Sequence, residues 1–141
     1  MRLSLVPMKL DYIPNINAYG DCVVRLFDFD KSEALKFQSA INSTIIQKKK
    51  SLDLSQLDYI EHSNCMVLLM LGEEDEGMVT LDDYHFVCKL TMETYEKMVQ
   101  LIAPFCLKDR SSHQMLYDVD SLTDFLFSPA GTSTIADESE A

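Results

Sequence analysis

The sequence predicts an α+β domain, and three observations carry that reading. Period-2 alternation marks strand-like runs at residues 22–28 and 84–90, helical spacing of apolar residues follows each run, and an unbroken apolar stretch at residues 65–71 lies between them. A helix with one apolar stripe and a strand with one apolar face must cover each other, so a chain containing both folds as packed layers around a core.

Residues 8–13 alternate and stop at Pro14, ahead of Asn15, Asn17, Gly20 and Asp21, which mark a loop; a short first strand is expected there. The run Cys22-Val23-Val24-Arg25-Leu26-Phe27-Asp28 is rich in β-branched and aromatic side chains and sets Cys22, Val24 and Leu26 against Val23, Arg25 and Phe27, a strand pattern. Asp30 followed by Glu33 is a capping box with Asp in place of Ser or Thr. Ala34, Phe37, Ile41 and Ile45 then recur on one face, which predicts a helix over 31–50. Lys48, Lys49 and Lys50 close it, where positive charge complements the carbonyl end.

Residues 57–62 offer a further short strand, and the run Cys65-Met66-Val67-Leu68-Leu69-Met70-Leu71 is expected to be a strand buried on both faces. Residues 72–83 form an acidic connection holding Glu73, Glu74, Asp75, Glu76, Asp82 and Asp83, with a brief extended piece at 78–81. Residues 84–90 place Phe86, Cys88 and Leu90 on one face and His85, Val87 and Lys89 on the other. With 65–71 they are expected to make an antiparallel hairpin with a charged tip. Thr91 as N-cap, Glu93 in the first turn and Tyr95, Met98, Val99 and Ile102 at helical spacing predict a second helix ending near Pro104. Residues 113–119 read as a last strand, and 120–124 turn the chain into the apolar patch Phe125-Leu126-Phe127.

From residue 22 to residue 119 the order is β-α-β-β-α-β. That is the ferredoxin-like arrangement, with an antiparallel sheet, two helices on one face and an extra N-terminal strand. The domain spans residues 8–127, after an N-terminal extension at 1–7. Residues 128–141, with Pro, Gly, Ser, Thr and acids but no periodicity, are expected to be a disordered acidic tail.

At 141 residues the chain is long enough for one core without metal or disulfide staples, and 47% apolar with 25% charged residues is ordinary globular composition. Twelve basic against 23 acidic residues give a net charge of −11, which repels phosphate backbones and anionic lipid and excludes direct nucleic-acid or membrane binding from the expectation. The longest apolar run is far short of the roughly 20 residues a bilayer requires. Pro7 cuts the apolar start, so no export signal is read. Cys22, Cys65, Cys88 and Cys106 form no CxxC pair and three sit inside apolar segments, so free buried thiols and a cytoplasmic location are expected.

Candidate chemistry is thin. His62 with Cys65 and His85 with Cys88 are two HxxC pairs of zinc-ligand type, but residues three apart in a strand point to opposite faces, and an antiparallel hairpin sets His85 near Met70 and Cys65 near Leu90. Counting back from Gly77 puts Gly72 where a calcium loop needs its first carboxylate. Gly20, Gly72, Gly77 and Gly131 lie in no nucleophile elbow or phosphate loop, and residues 84–90 lack the glycine and second aromatic of an RNA-binding strand. No catalytic, cofactor-binding or metal residue is assigned, and no cofactor is expected.

Three stretches, Leu10-Asp11-Tyr12-Ile13-Pro14-Asn15-Ile16-Asn17, Phe27-Asp28-Phe29-Asp30 and Asp124-Phe125-Leu126-Phe127-Ser128-Pro129-Ala130-Gly131-Thr132, resemble those of a small group of uncharacterised acidic Bacteroidetes proteins. The resemblance covers residues 8–132. It implies a bacterial protein but no activity, and makes the first seven and last nine residues peripheral.

The resulting expectation is a non-catalytic cytoplasmic protein that works by contact with another protein or, as a homodimer, with itself. Its interaction surface would comprise Glu73, Glu74, Asp75, Glu76, Asp82, Asp83, Phe125 and Phe127. The alternatives are an acidic inhibitor or nucleic-acid mimic seated in a basic groove, and a small-ligand sensor or enzyme.

Overall fold

A computed structural model describes residues 8–14, 21–82, 84–109, 111–119 and 121–130. Among these residues nine strands and two α-helices follow in the order β1 (Met8–Ile13), β2 (Cys22–Phe27), α1 (Lys31–Ala40), β3 (Leu52–Asp53), β4 (Ile60–His62), β5 (Met66–Leu71), β6 (Gly77–Thr80), β7 (His85–Leu90), α2 (Met92–Leu107), β8 (Gln114–Met115) and β9 (Thr123–Ser128). A π-helical segment, Ile41–Gln47, continues α1, and a single 3₁₀ turn, Leu54–Gln56, follows β3. The class is α+β. Among the described residues no helix is long and apolar enough to cross a membrane.

Local signals act where the sequence places them. Asp30 accepts from the N–H groups of Ser32 (2.8 Å) and Glu33 (3.2 Å) while the Glu33 carboxylate accepts from the Asp30 N–H (3.2 Å), a complete capping box that starts α1. Thr91 caps α2 through the Thr94 N–H. That helix runs past Pro104 to Leu107, because Phe105 is needed inside, edge-on to Phe127 at 5.2 Å, and Pro104 itself faces solvent.

The strands do not form one antiparallel ferredoxin-like sheet. They form two mixed sheets, β4-β1-β2-β9-β8 and β3-β5-β7-β6. In the first, β2 pairs antiparallel with β1 and parallel with β9. In the second, β5 pairs parallel with β7, and β6 pairs antiparallel with β7. The hairpin expected between residues 65–71 and 84–90 is therefore replaced: the extended piece between them is a full strand, the chain reverses twice, and β7 runs alongside β5. The last predicted strand shrinks to β8, because Tyr117 turns inward to bond Met78 N–H and the Thr123 carbonyl. Its place beside β2 goes to β9. Ser128 belongs to β9, and the Ala130 N–H still bonds the Phe29 carbonyl at 3.0 Å, so ordered packing reaches past the expected start of the tail. The extension at 1–7 and residues 131–141 lie outside the described residues.

One core joins everything. Leu10, Val24, Leu26, Phe125 and Phe127 from the first sheet, Val67, Leu69, Phe86, Cys88 and Leu90 from the second, and Phe37, Ile41, Tyr95, Met98 and Ile102 from the helical layer belong to a single buried cluster. The sheets meet where Tyr12 packs on Phe86, ring centroids 4.8 Å apart.

Candidate functional site

The two sheets treat their outer faces differently. At the centre of the five-stranded sheet the outward residues are paired and covered: Arg25 is only 8% exposed, its Nε donates to Asp11 at 2.7 Å, and its guanidinium stacks over Phe27 at 3.9 Å. Val23 and Leu126, on the same side, are fully buried.

The outer face of the four-stranded sheet is more open, although Val87 at its centre is only 6% exposed. Alternation along β5 sends Val67 and Leu69 into the core, where they are 1% and 0% exposed, and leaves Met66, Leu68 and Met70 only partly buried on the other side. The run at 65–71 is therefore not sealed on both faces as expected. Register adds His85, Val87 and Lys89 from β7, Val79 from β6 and Asp53 from β3 to that outer face. A hollow of about 200 Å³ opens there, with Met66, Leu68, Leu81, His85 and Val87 in its lining, and Leu81 is 65% exposed.

The acids expected to act together are divided. Asp75 is drawn onto the start of α2, where its carboxylate accepts from Thr91 N–H (2.8 Å), Thr91 Oγ1 (3.0 Å) and Thr94 Oγ1 (2.8 Å). The Thr91 N–H bond is the first cause that holds its carboxyl below the usual range. Asp82 folds the β6–β7 turn, accepting from the N–H groups of Tyr84 (2.8 Å) and His85 (3.0 Å) and contacting His85 Nδ1 at 2.9 Å. The Tyr84 bond is the leading cause of its lowered pKa. Glu73, Glu74 and Glu76 face solvent, and Asp83 lies outside the described residues. Phe125 and Phe127, expected on an interaction surface, are 0% exposed in the middle of the five-stranded sheet. They present nothing to a partner because both point from β9, which lies between β2 and β8, into the core.

The HxxC residues are distributed by the strands that carry them. His85 points out and Cys88 inward on β7, and the parallel register sets Met66, not Met70, opposite His85. Among the described residues no three His, Cys, Asp or Glu side chains gather in a metal-holding group. Burial pushes the Cys65 and Cys88 thiols up to about 12, so both are protonated at neutral pH and pack as apolar groups.

A cleft of about 430 Å³ runs beside α2, lined by Asp75, Thr94, Lys97, Gln100, Leu101 and Tyr117 among others, and a second of about 390 Å³ continues it past Met115 and Asp124. Its best-placed polar groups are engaged in holding the fold. Asp75 ties down the helix start, and the Tyr117 hydroxyl, with its pKa raised to about 12 chiefly by burial, accepts from Met78 N–H at 3.0 Å and donates to the Thr123 carbonyl at 2.6 Å.

Compared with protein-family models, curated proteins and solved structures, the chain matches none. The geometry of its own surfaces is what bears on function. The open face was concealed in the sequence because Met66, Leu68 and Met70 are as apolar as the residues between them, and an apolar run reads as buried on both sides.

Proposed function

We propose that this chain is a non-catalytic interaction module that binds another protein through the outer face of its four-stranded sheet. One observation carries the reading: Met66, Leu68, Met70 and Val79, only partly buried, lie with the exposed Leu81 around the buried Val87 on one side of a sheet whose other side packs into the core. Contiguous exposed apolar surface of this kind marks contact sites, whereas scattered single residues do not. The acids support the reading as a rim, since Asp75 and Asp82 are turned into local structure and, among the described residues, interrupt the acidic array that a nucleic-acid mimic would present. The free thiols fit a reducing compartment such as the cytoplasm.

Magnitudes set what the face can do alone. Completing the burial of the four partly covered side chains contributes roughly 0.5 kcal/mol each, and of the exposed Leu81 about 1–2 kcal/mol. The sum only just reaches the low end of the roughly 4–15 kcal/mol that association costs in lost freedom. Apolar contact by itself gives weak binding, and the rest must come from polar complementarity at the rim.

The test is site-specific photocrosslinking in the native cell. A photoreactive residue at Leu68 should form discrete protein adducts, while one at the exposed Glu96 of α2 should not. Equal or absent adducts at the two positions would remove the reading.

A further inference from the structure

Resting on the docking reading above, we infer that the occupant of this face is a basic amphipathic helix of a partner protein. Three strands at a spacing of about 4.8 Å, joined by the two-residue β3 only beside Leu68 and Leu69, make the face about 10–14 Å across, room for one helix of about 10–12 Å diameter and not for two. The six residues of β5 span about 20 Å, which a helix covers in about 13 residues. Met66, Leu68 and Met70 form the central strip, with Val87 and Val79 beside them in register.

Charge decides what kind of helix fits. At the Met66 end the strip meets the turn carrying Asp82, because Met66 is opposite His85 and His85 is bonded to Asp82. At the Leu71 end it meets the exposed Glu73, Glu74 and Glu76, and Asp53 lies beside Leu68. Against these acids the face holds Lys89 as its one Lys or Arg among the described residues. A helix with an apolar stripe and Lys or Arg towards both ends matches this pattern. A second copy of the chain would set acidic rim against acidic rim at a net charge of −11 each.

The probes are two synthetic helical peptides of about 16 residues with the same leucine stripe, one carrying Lys and the other Glu in the terminal turns. Binding to the full chain is read by fluorescence anisotropy. The Lys peptide is expected to bind at least roughly ten-fold more tightly than the Glu peptide, and to weaken several-fold between about 0.05 M and about 0.5 M NaCl. Leu68→Asp should abolish that binding. The substitution adds a negative charge, which would strengthen any diffuse attraction to a cationic peptide, so the loss locates the peptide on the face; an unchanged melting temperature shows that the variant is folded. Equal binding of both peptides leaves the docking face standing and overturns the basic helix, and so does a Lys peptide that binds Leu68→Asp as well as wild type. If neither peptide binds and sedimentation finds a dimer that Leu68→Asp disperses, the occupant is a second copy and the inference fails. If neither peptide binds, the chain is a monomer and Leu68 yields no crosslinks, the docking reading falls with it.

Discussion

Asp75 stands in a row of four consecutive acids, yet its carboxylate closes the start of α2 while its neighbours stay in solvent. A carboxylate there meets the positive end of the helix as well as two hydroxyls, which is why it differs from Glu74 or Glu76. Because its folded-state pKa is depressed, its contribution to stability is fully present above the ordinary carboxylate range, roughly pH 4, and is lost as pH falls through the lower folded value. Asp75→Asn is expected to cost about 1 kcal/mol at pH 7, a modest figure because the site is exposed and screened. Thermal melts of the two proteins should converge as pH is lowered through the folded-state value, and a gap that persists at the lowest pH would mean that the charge is not what matters.

At the scale of elements, the π-helical segment shows why α1 has its shape. Phe37, Ile41 and Ile45 recur every four residues, a spacing that drifts off the core face of an ordinary α-helix. The wider π turn, with its i→i+5 bond seen in Lys48 N–H to the Ser43 carbonyl at 3.2 Å, keeps Ile41 and Ile45 both fully buried. Just past its end, after the C-cap Lys48, Lys49 has a φ of 56°, the left-handed conformation that glycine takes without strain. Lys49→Gly should therefore raise stability by about 0.5 kcal/mol after glycine's extra unfolded-state freedom is subtracted, and Lys49→Val should lower it; denaturant titration reads both.

The junction between the sheets is a second element-scale device. Tyr117 reaches the first residues of β6, and Gly77, at φ 77°, leaves room for it, since a Cβ there would stand 3.1 Å from the Tyr117 hydroxyl and 3.0 Å from Ser121 Oγ. Tyr117→Phe strands the Met78 N–H in a buried site and is expected to cost about 1–3 kcal/mol. Hydrogen exchange at Met78 should speed up accordingly, and an unchanged rate would show that Tyr117 does not hold the strand.

For the whole molecule, Phe127 is where the layers converge. Its ring lies 4.1 Å from that of Phe29, 5.9 Å from Phe37 of α1 and 5.2 Å from Phe105 of α2. Phe127→Ala is expected to cost about 3–5 kcal/mol, against within about 0.5 kcal/mol for a surface residue, and urea unfolding distinguishes the two. The sequence reading placed Phe127 on the surface because Phe125-Leu126-Phe127 follows a turn near the end of the chain with no helical or strand neighbour to claim it. Its claimant is β2, near the other end, through pairs such as Leu26 with Phe127. The HxxC pairs show the same limit from the other side: strand geometry alone separates His85 from Cys88, but which residue of β5 stands opposite His85 required knowing that β5 and β7 run parallel.

What the amino-acid order determined by itself is local: the capping boundary at Asp30, the cap at Thr91, the alternation of β2 and β7, and the α+β class, all written in residues within a few positions of each other. The tertiary structure alone decided that the strands split into two mixed sheets, that β9 pairs beside β2, and that one side of β5 is only partly covered. Pairing between distant strands depends on which apolar faces compete for one core, and a continuous apolar strand carries the same pattern whether one of its faces is covered or both.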